Sequence, residues 1–319
     1  MTPLKIEKTT NDVIWDKFLL NSINKNFFCH SIFLKSLKTP LTKFFIKNND
    51  EIIAAFTLNE NNKNIILSNE IIYTPIIFKE YKNRPISSIN TEKFNVIDSF
   101  KDFLLKNYNK IDFISDLNLK DLRPFLYYNF EKKINHFQIA NIKYTSIVNI
   151  KNLNSKNEFK NFYNNLSVRV RQQYKISVNS GKYKFYENLD KKIFFEIINL
   201  TFQRQNKKPD FNLDKRFNIL KQYNKLGLVK MFCVEDKNSI KSFSVFSSIK
   251  NHSIYLHGGR IGDDKNDHSL IYNMLKSFFE LSKDGVCTVD LEGINSPKRA
   301  FNKLGYGGEI NPYYHLRKT

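Results

Sequence analysis

Apolar positions along the chain switch repeatedly between a period near four and a period of two, and that alternation predicts an α/β protein. Val13, Ile14, Phe18 and Leu19, with Trp15 beside them, mark a helix over Thr10–Ser22, and a second helix follows over Ser31–Leu37. Leu41–Ile46 and Glu51–Leu58 read as a hairpin turned at Asn48, Asn49 and Asp50. The apolar run Ile71–Phe78 contains Pro75, which argues against a central strand. A helix over Thr91–Asn107, a strand over Ile111–Ser115, a short helix over Asp121–Tyr128 and strands over Lys132–Ile139 and Tyr144–Ile150 complete the first half.

The second half opens with Phe162, Leu166, Val170, Tyr174 and Val178, a stripe that predicts one helix over Asn157–Ser180 stopped by Gly181. A short strand at Lys182–Tyr186 precedes helices over Ile193–Gln205 and Leu213–Tyr223. Leu228–Glu235 and Ile240–Ile249 form a second hairpin, and Ser253–His257 the next strand. Leu270, Met274 and Phe278, with Ile271, Leu275 and Phe279, give one face of a strong helix ending near Gly285. The element order of the first half then recurs. Hairpin 41–58 matches 228–249, helix 91–107 matches 267–283, strand 111–115 matches 286–291, and short helix 121–128 matches 297–304. Two copies of one α/β unit are expected, 1–150 and 151–319.

The closing segment is the most tightly specified. Val286–Leu291 alternates as a strand, which would put Thr288, Asp290 and Glu292 on one face. Ser296 suits an N-cap, Pro297 a first helical residue and Gly305 a left-handed stop. The stretch Asp290–Gly308, with Phe301, Gly305, Tyr306, Gly307 and Gly308 in place, resembles the closing segment of the FemAB-like transferases. Those are built from tandem GNAT-type acyltransferase domains. The resemblance implies two GNAT-like domains, each a mixed, mostly antiparallel sheet flanked by helices, with the site in the second. It also implies acyl or aminoacyl transfer to an amine of a cell-envelope precursor: peptidoglycan, polysaccharide or lipid-linked.

Charge and composition add limits. The formal net charge of +20 suits an anionic partner such as nucleic acid, a CoA-like donor or a lipid head group, or else it follows from a Lys- and Asn-rich composition. Three cysteines without paired spacing point to a reducing compartment, and six scattered histidines to no metal site. The polar start and the lack of a long apolar run predict a cytoplasmic chain with no signal peptide and no transmembrane segment, though with peripheral membrane contact open.

A direct acyl transfer to an amine needs donors to polarise the carbonyl, a base and an acid rather than a covalent triad. Asp290 and Glu292 are candidate bases or amine binders, or else a solvated strand end or helix cap; Asp290 matches the family's strand Asp. His257, Gly258, Gly259 and Arg260 end a strand just before the long helix, where a GNAT domain binds the CoA pyrophosphate. Here Asp263, Asp264 and Asp267 follow and would repel a phosphate. That disfavours acyl-CoA and keeps aminoacyl-tRNA as donor; neither is a permanently bound cofactor. A plain turn is the other reading of the glycine pair. Ser269 is a further donor-binding candidate and Tyr272 a leaving-group acid. Arg204 with Gln205, which also looks FemAB-like, would hold an acidic acceptor or lie at a helix end. Gly293 and Lys303 complete the candidate acceptor-binding set. Arg169, Arg171, Lys175, Lys182 and Lys184, among Tyr174, Tyr183 and Phe185, are either a track for tRNA or a solvated face. The rival to an enzyme is a non-catalytic basic protein that binds tRNA or a membrane surface; the nearer rival is an acyl-CoA-dependent N-acetyltransferase.

Overall fold

The computed structural model describes residues 4–318 apart from positions 25, 40, 69, 74, 75, 133, 189, 205, 210, 263 and 265, and apart from the side chains of 298 and 299. The chain forms two units, 1–143 with 312–319, and 144–311. The division lies before Tyr144 rather than after Ile150. The C-terminal residues return to the first unit because His315 to Lys318 pair antiparallel with Ile114 to Ile111.

The first unit runs β1 (Lys5–Thr9), α1 (Asp12–Leu20), a single 3-10 turn (Phe27–Cys29), α2 (Ser31–Ser36), β2 (Thr42–Asn48), β3 (Glu51–Leu58), β4 (Glu60–Asn61), β5 (Asn64–Ile65), β6 (Ile76–Phe78), α3 (Ile86–Asn107), β7 (Lys110–Ile114) and α4 (Arg123–Leu126). β1, β2, β3 and β6 form an antiparallel sheet in that order. β6 is an edge, as a proline at its start requires, although Pro75 itself lies outside the described residues. The hairpin turns at Asn49 with φ +52°, a conformation asparagine tolerates. α3 buries Val96, Ile97, Phe100 and Leu104, and Phe56, Phe113 and Phe125 ring Phe100 within 6.3 Å.

The chain continues with β8 (Gln138–Asn149), which enters the second unit at Tyr144, then α5 (Lys156–Asn165), α6 (Val168–Ser180), β9 (Lys184–Glu187), α7 (Lys191–Gln203), α8 (Leu213–Lys225), β10 (Val229–Asp236), β11 (Ser239–Ile249), β12 (His252–Arg260), α9 (Ser269–Lys283), β13 (Thr288–Asp290), α10 (Pro297–Leu304) and β14 (Glu309–Lys318), which belongs to the first unit from Pro312 on. The strands of the second unit lie in the order β9-β10-β11-β12-β13-β8, antiparallel except for β12 with β13. Alternation on β11 decides which helix covers which face. Phe243 meets Phe194 of α7 at 6.0 Å, while the next residue, Ser244, donates to Asn273 of α9 and Phe246 meets Phe278.

Several expected boundaries moved. The stripe expected as one helix is two, because Leu166 is extended and buried and Ser167 Oγ accepts from Val170 N to start α6. The strand expected over Lys132–Ile139 begins only at Gln138, as the start of the one long strand β8. Gly305 is right-handed (φ −59°) and is needed for close packing, since a Cβ there would stand 3.0 Å from Val170 Cγ2. The left-handed position is Gly307, at φ +73°, where a Cβ would meet Asn165 O at 2.5 Å.

Candidate active site

The second unit opens one strand edge. β12 and β13 pair only at His252–Thr288, Ser253–Val289 and Ile254–Asp290. β13 stops at Asp290, and β12 runs on to Arg260 still paired to β11 on its other side. Where the two part lies a cavity of about 370 Å³, walled by Tyr255–Arg260, by Leu291 and Glu292, by Asn302, Lys303 and Tyr306, and by Thr201, Phe202 and Arg204. That volume suits a small-molecule group. β12 also carries a bulge: Val245 faces His257 and Phe246 faces Tyr255, leaving Leu256 unopposed. A bulge re-aims the residues that follow it.

What ends β13 is local. Asp290 is 1% exposed, and its Oδ1 accepts from the Thr145 hydroxyl at 2.5 Å and from Glu292 N at 2.7 Å. The second bond bends the chain so that Glu292 takes φ +57°. The expected shared face of Asp290 and Glu292 is therefore broken. Glu292 lines the cavity; Asp290 is buried behind it as the brace of the turn and is not part of the wall. Lys303 of α10 reaches back, its ammonium donating to Glu292 O at 3.2 Å and Gly293 O at 3.5 Å. Gly293 contributes through that carbonyl.

His257 is wedged between Phe194 and Phe211, each 5.6 Å away. Burial, with the Arg216 guanidinium adding to it, pushes its pKa down to about 3, so the imidazole is neutral at pH 7. Burial, then the neighbouring Tyr306 phenol and the Glu292 carboxylate, holds the Tyr255 phenol far above its ordinary range, and burial does the same for Tyr306. Both stay protonated and can donate. Neither tyrosine was singled out from sequence for chemistry; Tyr255 is one aromatic residue in a strand and carries no signal of its own.

The glycine pair serves packing. A Cβ on Gly258 would stand 2.2 Å from the Tyr255 hydroxyl, and one on Gly259 would stand 2.6 Å from Thr201 Oγ1 and 2.8 Å from Ile197 Cγ2. Neither has a positive φ, so the pair is not a plain turn. Arg204 reaches the cavity rim, yet its guanidinium is directed at main chain, donating to Arg260 O at 2.9 Å and Gly262 O at 2.7 Å. Arg260 in turn donates to Asp264 O at 2.6 Å and Asp267 O at 3.0 Å. Both arginines brace the loop into α9 through these main-chain contacts, and both also line the cavity. Asp267 Oδ1 accepts from Ser269 N at 2.8 Å and from the Tyr183 hydroxyl at 3.0 Å, so a carboxylate already occupies the start of α9. Ser269 is buried there, and Tyr272 stacks with Tyr174 at 6.2 Å and meets Tyr183 at a tilt at 5.6 Å; neither lines the cavity. Gln205 lies outside the described residues. Among the described residues no three His, Cys, Asp or Glu side chains gather as a metal site would need.

The matching place in the first unit is filled. Asn24 Oδ1 accepts from Phe78 N at 2.9 Å, and its Nδ2 donates to Ile76 O at 3.0 Å and to Asp116 Oδ1 at 2.7 Å. The free edge of β6 is thus satisfied by a side chain, with Asn26 and Asn118 completing the shell around the buried Asp116.

No family model matches the sequence, and no curated protein sequence matches it. Solved structures do match the fold. FemX superposes over 97% of this chain and 96% of its own, with a TM-score of 0.63 at 13% identity. L-PGS from Bacillus licheniformis covers 98% of this chain and 93% of its own, with a TM-score of 0.57 at 13% identity. A tandem GNAT protein from the clavulanic acid biosynthesis pathway covers 99% and 98%, with a TM-score of 0.50 at 7% identity. The fold is therefore of the FemAB-like, GNAT acyltransferase type, with two such units in tandem.

Proposed function

From a FemAB-like, GNAT-type fold whose second unit parts two strands around a mixed cavity, we propose an N-acyltransferase that moves an aminoacyl group from an ester donor to an amine of a cell-envelope precursor. The observation that carries this reading is the bare edge of β12 beyond Ile254, facing Glu292 and Lys303 across the cavity. Backbone N–H groups on that edge and the Lys303 ammonium are donors for an oxygen gaining negative charge. Glu292 is the acceptor for the amine proton. The amine nitrogen attacks the ester carbonyl and forms the C–N bond. The C–O bond then breaks, and the leaving oxygen takes a proton from the Tyr255 or Tyr306 phenol. The proton gained at Glu292 balances the one given up. Asp290 positions Glu292.

The donor reading rests on the start of α9. A phosphate seated there would face the Asp267 carboxylate, which favours an aminoacyl ester on tRNA over acyl-CoA. The acceptor reading rests on the likeness of Asp290–Gly308 to the FemAB-like closing segment and on the fold shared with FemX and L-PGS.

The test is thermal stabilisation by acetyl-CoA, charged tRNA and uncharged tRNA, followed by turnover with the donor that binds. Charged tRNA should raise the melting temperature more than uncharged tRNA does. Glu292→Gln and Lys303→Met should each lower turnover about a hundredfold with an unchanged melt. Stabilisation by acetyl-CoA alone would overturn the donor, and full turnover in both variants would overturn the site.

A further inference from the structure

The turn between α4 and β8 in the first unit presents an apolar tip on a fixed root. At the root Phe125 and Phe137 are buried with rings 5.1 Å apart, and Tyr128 packs on Phe137 at 6.2 Å. Asn129, at φ +54°, donates from Nδ2 to Ile134 O at 3.0 Å and closes the turn. The side chains sent outward are Tyr127, Phe130 and Ile134, which are 61, 71 and 67% exposed. Three large apolar groups this open on one short turn contribute nothing to the core that anchors it.

The segment that carries the tip is net positive. Positions 120–143 hold five basic residues (at 120, 123, 132, 133 and 143) against Asp121 and Glu131, and Arg123 pairs Asp121 at 2.7 Å. An apolar tip on a segment of net positive charge matches a surface with an anionic rim and an apolar interior. A second copy fits poorly, because a two-fold contact would set these cations against themselves. A nucleic acid offers nothing for Ile134.

We propose that this turn seats the protein on an anionic lipid bilayer. Tyr127, Phe130 and Ile134 enter the headgroup boundary while Lys120 and Lys132 meet the lipid phosphates. The proposal is independent of the chemistry assigned to the second unit.

Cosedimentation with vesicles tests it, using phosphatidylcholine alone and phosphatidylcholine mixed with phosphatidylglycerol, at low and at physiological salt. The full chain should bind the mixed vesicles and leave the neutral ones. Phe130→Ser/Ile134→Ser should weaken binding about tenfold or more, since each exposed side chain adds apolar area to the boundary. Lys120→Glu/Lys132→Glu should weaken it about as much and flatten its salt dependence. Val13→Ser/Ile86→Ser, at exposed apolar positions elsewhere in the first unit, should change nothing. Should the first double variant melt early, Phe130→Ser alone gives the same readout. Binding of Phe130→Ser/Ile134→Ser equal to wild type would reduce the effect to bulk charge and overturn the proposal. So would equal binding to neutral vesicles, or a dimer in sedimentation velocity that the same variant abolishes.

Discussion

Replacing Gly259 by alanine separates two explanations of the Gly258–Gly259 pair. If the pair exists to let a donor approach the backbone, a methyl at 259 should weaken ligand binding and leave the fold intact. The structure assigns it to the approach of α7. The new Cβ would stand 2.6 Å from Thr201 Oγ1 and 2.8 Å from Ile197 Cγ2, against an optimum of about 3.5–4.0 Å for carbon contacts. Ile197 is fully buried on α7, so its side chain has little free space into which to give way. The helix must then move by roughly an ångström, which costs about 1–3 kcal/mol as overpacking usually does. For a unit of this size that lowers the melting temperature by about 3–10 °C. Thr201→Ala removes the nearer atom, so the double variant Gly259→Ala/Thr201→Ala should recover part of the loss, with a coupling of about 0.5–1.5 kcal/mol. Thermal and urea melts followed by far-UV circular dichroism measure all four corners of the cycle. A Gly259→Ala protein that melts with the wild type, or a cycle with no coupling, would refute the packing argument and return the glycine to the donor.

Three further outcomes follow from the same structure. Asp290→Ala should destabilise the second unit by about 1–3 kcal/mol and lower turnover through the displaced Glu292, whereas Asp290→Asn keeps an oxygen for both donors and should retain most of each; equal loss of turnover in both would restore Asp290 as the base. His257 is held at about 3, below the value near 6.5 of an unfolded chain, so its contribution is complete above pH 6.5 and falls as pH drops from there toward 3; the slope is at most about 1.4 kcal/mol per pH unit, and it should be shallower in His257→Asn when urea melts are compared between pH 6 and 4. Asp116→Ala should strip the acceptor from Asn24, Asn26 and Asn118 in the first unit, costing about 1–3 kcal/mol in melts while ligand binding at the second unit's cavity is unchanged; a loss of that binding would contradict the separate accounts of the two units.

The sequence by itself determined the elements and their repetition. Hairpins at 41–58 and 228–249, the long helices and the strand-turn-helix at 286–304 were legible because side-chain period and turn chemistry act over a few residues. It also gathered Glu292, Lys303 and His257 into one short list, and the cavity brings these three together. Other assignments depended on contacts that no local period encodes. Arg204 looked like an anion binder, but the main-chain oxygens its guanidinium meets belong to a loop some 56 residues away in sequence. Asp290 and Glu292 had the spacing of one strand face, and a hydrogen bond from Glu292 N to Asp290 broke it. Both units carry a hairpin, a strand, a helix and another strand, so the repeat alone does not separate them; the resemblance of the closing segment pointed to the second. Only the tertiary structure shows the physical difference between them: β6 has its free edge filled by Asn24, a residue outside the repeat, whereas β12 parts from β13 after Ile254 and leaves its edge to the cavity, because contacts between residues far apart in sequence leave no local period.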